Sequence, residues 1–216
     1  MSRGSDSYPA YTPGERVADG AVHAMGVVGA LMGATAIVLW VAMTQDAPRI
    51  AAVSVYGAAL IATFVASALY HFTPWERARP MLRRFDHAAI YLKIAGTYTP
   101  FVVLLGGVSA YVLLGLLWAV AAFGVVRKLF FWGGRSGVLL YLAMGWAGLW
   151  IIWSSFQNLP VAASVLIVAG GLLYTVGVIF YRWPGLKFSN AIWHGFVLAA
   201  SICFYIAISL GVGLVA

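Results

Sequence analysis

Apolar residues in this chain come in long runs separated by short polar interruptions, and the runs set the architecture. A helix that crosses a membrane needs ~20 predominantly apolar residues. Seven stretches reach that length: residues 20–44, 51–71, 86–106, 108–126, 137–156, 160–180 and 189–214. Only Gly106, Gly107, Val108 and Ser109 separate the third from the fourth, which predicts a tight helical hairpin. Connections this short leave no space for a soluble domain. Residues 1–18 are polar and contain Pro and Gly throughout. They read as a short flexible tail, because a secretory signal would carry an apolar region of about 7–15 residues. The expected division is a tail, 1–18, and one membrane domain, 19–216. No internal repeat is visible, which disfavours a transporter built from duplicated halves.

Composition narrows the class. Of 216 residues, 63% are hydrophobic and 9% are charged, against roughly 25% charged in a soluble domain. Too little polar surface remains to dissolve a globule, so the expected fold is an all-α integral membrane bundle of seven helices. The net charge of +7 does not point to nucleic acid, because the positive residues cluster in short loops. Arg77, Arg79, Arg83 and Arg84 share one side with Arg127, Lys128, Arg135, Arg182 and Lys187, and with Arg3 and Arg16 of the tail; the other side has Arg49. That bias places the N-terminus in the cytoplasm and the C-terminus outside. Trp75, Trp132 and Trp183 fall in the same basic loops, where interfacial aromatics are expected. The single cysteine, Cys203, excludes an internal disulfide and a Cys-rich metal site.

On this frame the polar residues gather at one end. Ionisable groups in apolar spans are costly, and persist mainly where they pair, bind something or move protons. Asp19 and His23 begin span 1, Ser67 and His71 end span 2, Asp86 and His87 begin span 3, and Asn190 and His194 begin span 7. All of these ends face the cytoplasm. Residues four apart share a helix face, so Asp19/His23, Ser67/His71 and Asn190/His194 each project together. Imidazoles from two helices and a carboxylate from a third suit zinc, which in catalytic sites keeps three protein ligands and an open position. Other readings stay open: histidines that hydrogen-bond across helices, Asp86 as a helix cap, and Asp19–His23 as a structural pair. His87 points about 100° away from Asp86 and reads as interfacial. Lys93 lies seven residues after Asp86, about 10 Å deeper on roughly the same face. It is a counter-ion, a cavity residue, or a donor to backbone carbonyls.

Four segments carry a resemblance to a known family. SALYH (67–71), DHAAIYLKIAGTYTPF (86–101) and NAIWHGFVLAAS (190–201) resemble the signatures of the hemolysin III family, the bacterial branch of the progestin and adipoQ receptors. GERVADGAVHAMG (14–26) resembles its first-span motif. The resemblance implies a multi-pass plasma-membrane protein (the bacterial inner membrane), seven helices and a zinc site near the cytoplasmic face. Carried over by motif, His71 and His194 are metal ligands and Asp86 stands at the metal. The family's His-x3-His reads Asn190-x3-His194 here, and an amide oxygen suits harder ions than zinc. Asn190 and His23 are therefore the two candidates for the vacant ligand position. The resemblance further implies hydrolysis of a lipid amide or ester. The residues themselves offer Asp86 as general base and Ser67, one turn from His71, as a donor to the substrate carbonyl, with membrane lipids entering laterally between helices. A non-enzymatic role in membrane state or energetics is the alternative. A cytolysin comes third, because no segment reads as an amphipathic helix able to leave a soluble form.

Overall fold

The computed structural model describes residues 11–131 and 137–213; Arg3, Asp6, Trp132 and Arg135 lie outside the described residues. Among the described residues eight helices follow in order: α1 (Pro13–Thr44), α2 (Ala47–Phe72), α3 (Arg79–Leu105), α4 (Val108–Phe130), α5 (Val138–Trp146), α6 (Leu149–Asn158), α7 (Val161–Tyr181) and α8 (Ser189–Gly213). Among the described residues there is no strand. Six of the helices, all but α5 and α6, are each long and apolar enough to cross a membrane. Large apolar side chains such as Met43, Leu139 and Val108 are more than four-fifths exposed, while Asp19, His23, His71 and His194 are buried. That inversion suits a bundle whose solvent is lipid.

Helix starts depart from the sequence expectation in two places. α1 begins at Pro13, within the stretch expected as tail. Thr12 caps it: its hydroxyl accepts from the Glu15 N–H at 3.4 Å, and Glu15 accepts in return from the Thr12 N–H at 2.9 Å. This reciprocal pair satisfies two donors that the first turn leaves unpaired. α3 begins at Arg79, with Ala78 in the cap position. Asp86 is therefore about two turns inside the helix and cannot cap it, because its neighbours' N–H groups are already engaged in the helix.

The α3–α4 turn is as tight as its glycines allow. Gly106 and Gly107 both have positive φ, 70° and 88°, a region that side chains with a Cβ avoid. On α1 the inward residues are Asp19, His23, Gly26, Ala30, Ala34, Ile37 and Val41, a three-to-four-residue period that makes one stripe. Small members of the stripe let α2 approach closely: Gly57 of α2 sits against the Ala34 side chain.

The expected fifth span is not one helix but two, broken at Ala147-Gly148. The two pieces follow the course of α3 through the thickness of the bundle. Near the basic face, the Tyr141 hydroxyl donates to the His87 carbonyl at 3.0 Å. Midway, the Tyr98 hydroxyl donates to the Gly145 carbonyl at 2.6 Å and accepts from the Gly148 N–H at 3.1 Å. At the far end, Leu159 and Leu104 converge on Gly211 of α8. Irregular backbone at membrane depth is tolerated only where protein satisfies its polar groups, and here one tyrosine does so on both sides of the break. A Cβ on Gly148 would run into the Tyr98 ring.

Candidate metal centre

α1 and α8 leave the basic face side by side, tied by a hydrogen bond from the Phe188 N–H to Glu15 at 2.9 Å. α2 returns to the same face and ends one residue after His71. The three polar-x3-His pairs therefore meet at one depth. His23, His71 and His194 are all buried, and one ring nitrogen from each lies within 4.8 Å of the others. Their ring centroids are 4.2 to 5.2 Å apart.

Asp19 holds this trio from behind. The His194 Nδ1–H donates to Asp19 Oδ1 at 2.7 Å. The Asn190 amide donates to Asp19 Oδ2 at 2.8 Å. The His23 Nδ1–H donates to the Asp19 backbone carbonyl at 2.8 Å. A carboxylate and a carbonyl accept but cannot donate, so Nδ1 carries the proton in both histidines, and Nε2 keeps its lone pair. A ring held through Nδ1 whose Nε2 keeps its lone pair is the usual state of a metal-ligating histidine; in His23 that lone pair faces the Ser67 hydroxyl at 3.1 Å. His71 Nδ1 lies 3.4 Å from the Asn190 amide and 4.0 Å from Asp19 Oδ2.

The donor set fits a zinc ion. A tetrahedral site with Zn–N bonds of about 2.0–2.1 Å separates its nitrogens by about 3.3 Å. The trio needs to close by no more than about 1.5 Å to reach that edge, a shift within the reach of side-chain rotation.

Of the sequence candidates, His71, His194 and His23 come together in this group. Asn190 stands behind it, engaged with Asp19 and not pointing an oxygen at the three nitrogens. Asp86 stands beside it: Ser67 lies 3.1 Å from His23 Nε2 and also interacts with the Asp86 carboxylate. His87 is outside the group. Lys93 is buried further in, as described below. The part that sequence reasoning missed is Asp19 as the shared anchor of α1 and α8. A signal was present, since the spacing of Asp19 and His23 on α1 repeats in Ser67/His71 and Asn190/His194.

The cluster opens into a cavity of about 760 Å³. Ser67, Asp86 and the three histidines line one end; Phe101, Ile151, Ile167 and Phe204 are among the apolar residues further in. The broken α5–α6 pair contributes Tyr141, Gly145, Gly148 and Ile151 to one wall.

Fold and site together define a multi-pass helical membrane protein with a buried three-imidazole centre beneath its basic loops. The model of the Haemolysin-III related family matches residues 15–205, and the chain belongs to that family. It is 33% identical to Hemolysin-3 of Bacillus cereus, over 90% of this chain and 90% of that protein. It is 34% identical to the Hemolysin-3 homolog of Bacillus subtilis (strain 168), over 92% and 94%. A more distant likeness, 29% identity over 90% of this chain and 83% of the relative, links it to the monocyte to macrophage differentiation factor of Homo sapiens.

Proposed function

We propose that this protein is a zinc-dependent hydrolase that cleaves an amide or ester bond of a membrane lipid. The observation that carries the reading is the position of the three-histidine cluster: it sits at the polar end of a largely apolar cavity within the bundle. About 760 Å³ lies within the roughly 300–1,000 Å³ of small-molecule sites. Its apolar end suits an acyl chain, and its polar end suits the reacting carbonyl. On the positive-inside argument the cluster lies at the cytoplasmic side, within reach of the inner leaflet.

His23, His71 and His194 would hold the ion, and Asp19 would orient two of the rings. Zinc bound there supplies Lewis acidity and a readily ionised water. The remaining chemistry belongs to the chain. Ser67 has one proton and two acceptors to choose between, His23 Nε2 and Asp86. Once His23 Nε2 is engaged as a ligand, that proton is left for Asp86 or for the substrate carbonyl. In this reading Asp86 accepts a proton from the attacking water and returns it to the leaving nitrogen or oxygen; its contact with Ser67 beside the cluster supports the role. A C–O bond forms at the carbonyl carbon, the C–N or ester C–O bond breaks, and the products are a fatty acid and an amine or alcohol. The apolar walls exclude bulk water from the carbonyl until the chain is seated.

The test is fatty-acid release from ceramide or an N-acyl lipid by purified protein in nanodiscs. Chelation should abolish release and added zinc should restore it. Asp86→Ala should lower the rate by roughly 100-fold or more, the usual weight of a general base. A rate indifferent to both treatments would overturn the reading. Bound zinc without any release would leave a structural metal and favour a non-enzymatic role.

A further inference from the structure

Lys93 is the one cation in the membrane-depth part of α3, and the histidine cluster does not use it. It is 7% exposed and lines the same cavity. Its Nζ donates to Ser201 Oγ on α8 at 2.6 Å. It also lies 4.8 Å from the centre of the Phe64 ring and 5.3 Å from that of Tyr174. No acid lies within ion-pair distance of Nζ among the described residues. Ser201 has no proton to spare, because it donates to the Val197 carbonyl at 2.5 Å. The Tyr174 hydroxyl, 3.4 Å from Ser201 Oγ, is therefore the donor in that pair.

Both hydroxyl protons are thus spent within the protein, and the donors left facing the cavity are those of the Lys93 ammonium. An ammonium has three N–H groups and no acceptor, and one is spent on Ser201. A buried charge at this depth is stable only when paired or hydrogen-bonded, and two rings and one hydroxyl form an incomplete shell. An oxyanion in the cavity would complete it by accepting the remaining N–H groups. The surroundings say what else that ligand carries. Beyond Lys93 the cavity is lined by Ile94 and Phe101 of α3, Ile151 of α6 and Phe204 of α8, with Thr97 and Tyr98 as the polar members on α3. An anion with a hydrocarbon tail fits both parts; a small hydrophilic anion fits only the first.

We propose that Lys93, with Ser201 and Tyr174, forms a second ligand site, about 10 Å deeper than Asp86 on α3, for the oxyanion head of a single-chain amphiphile such as a long-chain carboxylate. The site stands apart from the histidine cluster and does not depend on the hydrolase reading. A lipid held there keeps its head at Lys93 and its tail toward Phe101 and Ile151.

The experiment is equilibrium binding of dodecanoate to detergent-purified protein, with dodecanol and acetate as the two halves of the ligand. Wild type should bind dodecanoate, and dodecanol and acetate should each bind at least ~10-fold more weakly, the weight of a charge-assisted hydrogen bond. Lys93→Met should lose that preference for the carboxylate, and Lys93→Arg should keep it. Ser201→Ala, which leaves the charge in place, should retain binding with a smaller preference. The same titration with metal stripped by chelator, and with His71→Ala, separates the two sites: the preference should persist in both. If it vanishes in His71→Ala but survives in Lys93→Met, the carboxylate is held at the histidine cluster and the proposal falls. Equal binding of dodecanoate and dodecanol by wild type, or strong binding of acetate alone, overturns it as well.

Discussion

Two walls of one cavity solve the same problem in opposite ways. Both place polar groups at membrane depth, where each unsatisfied one is costly. The wall formed by α1, α2 and α8 keeps its helices continuous and concentrates side-chain polarity: three histidines, Asp19, Ser67 and Asn190 satisfy one another within a few ångströms. The wall formed by α5 and α6 keeps its side chains mostly apolar and lets the backbone break, with Tyr98 closing the two exposed groups. A cluster of mutually held side chains presents ligand atoms in a fixed arrangement. A break held by a single residue is a weak point in a helix. The first wall holds its polar groups through one another, and the second depends on Tyr98 at its break.

The largest effect expected from this contrast is on metal content. Wild type purified without chelator should carry roughly one zinc per chain. His23→Ala should carry almost none, as should His71→Ala and His194→Ala, because each removes one of three ligands. His87→Ala, the fourth histidine and outside the cluster, should keep its zinc. Elemental analysis of the four variants decides the matter. Retention in His23→Ala would return the third position to Asn190 and dissolve the distinction between cluster and anchor.

The second wall is probed through Tyr98. Tyr98→Phe keeps the ring and removes the hydroxyl, leaving the Gly145 carbonyl and the Gly148 N–H without their partner. An unsatisfied buried group costs about 1–3 kcal/mol; Gly148 is buried and Gly145 is exposed, so unfolding in a denaturing detergent titration should be easier by about 1–3 kcal/mol. Amide exchange should rise around residues 145–151 and stay unchanged at the N-terminal ends of α1 and α8. Uniform acceleration throughout the bundle would mean that the break is not a separate weak point.

Much of the first wall was legible in the sequence and most of the second was not. Span positions followed from run length, and the turn at Gly106-Gly107 from the shortness of the interruption between two apolar runs. The end at which the polar residues gather followed from helix alternation and basic loops. His23 joins the cluster because α1 lies against α8, a neighbour relation that no local pattern encodes. For the same reason Asp19 could be paired with His23 from spacing, but not with His194 and Asn190 across the interface. The break at Ala147-Gly148 was hidden because MGWAGLWIIW is apolar throughout: hydropathy measures residence in the membrane and is blind to backbone continuity. The signal lay elsewhere in the chain, in a tyrosine whose hydroxyl needed a partner.

The finest distinction within the first wall is between Asp19 and Asn190, neither of which contributes a nitrogen to the trio. Asp19 accepts the Nδ1–H of His194 directly, so it fixes that ring's tautomer and raises its basicity as a ligand. Asn190 touches the trio through a 3.4 Å contact with His71 and otherwise holds Asp19 in place. Replacing a partner that orients a metal ligand usually costs 10–100-fold in affinity. Asp19→Asn removes the charge but preserves the shape, and should weaken zinc binding by roughly that factor in a competition titration. Asn190→Ala leaves the carboxylate with His194 and His23 as its side-chain partners and should cost less than about 10-fold. The order matters more than either value. If Asn190→Ala were the more damaging change, the amide would be a ligand and Asp19 only its support. The departure at position 190 would then mark an altered metal site rather than a moved one.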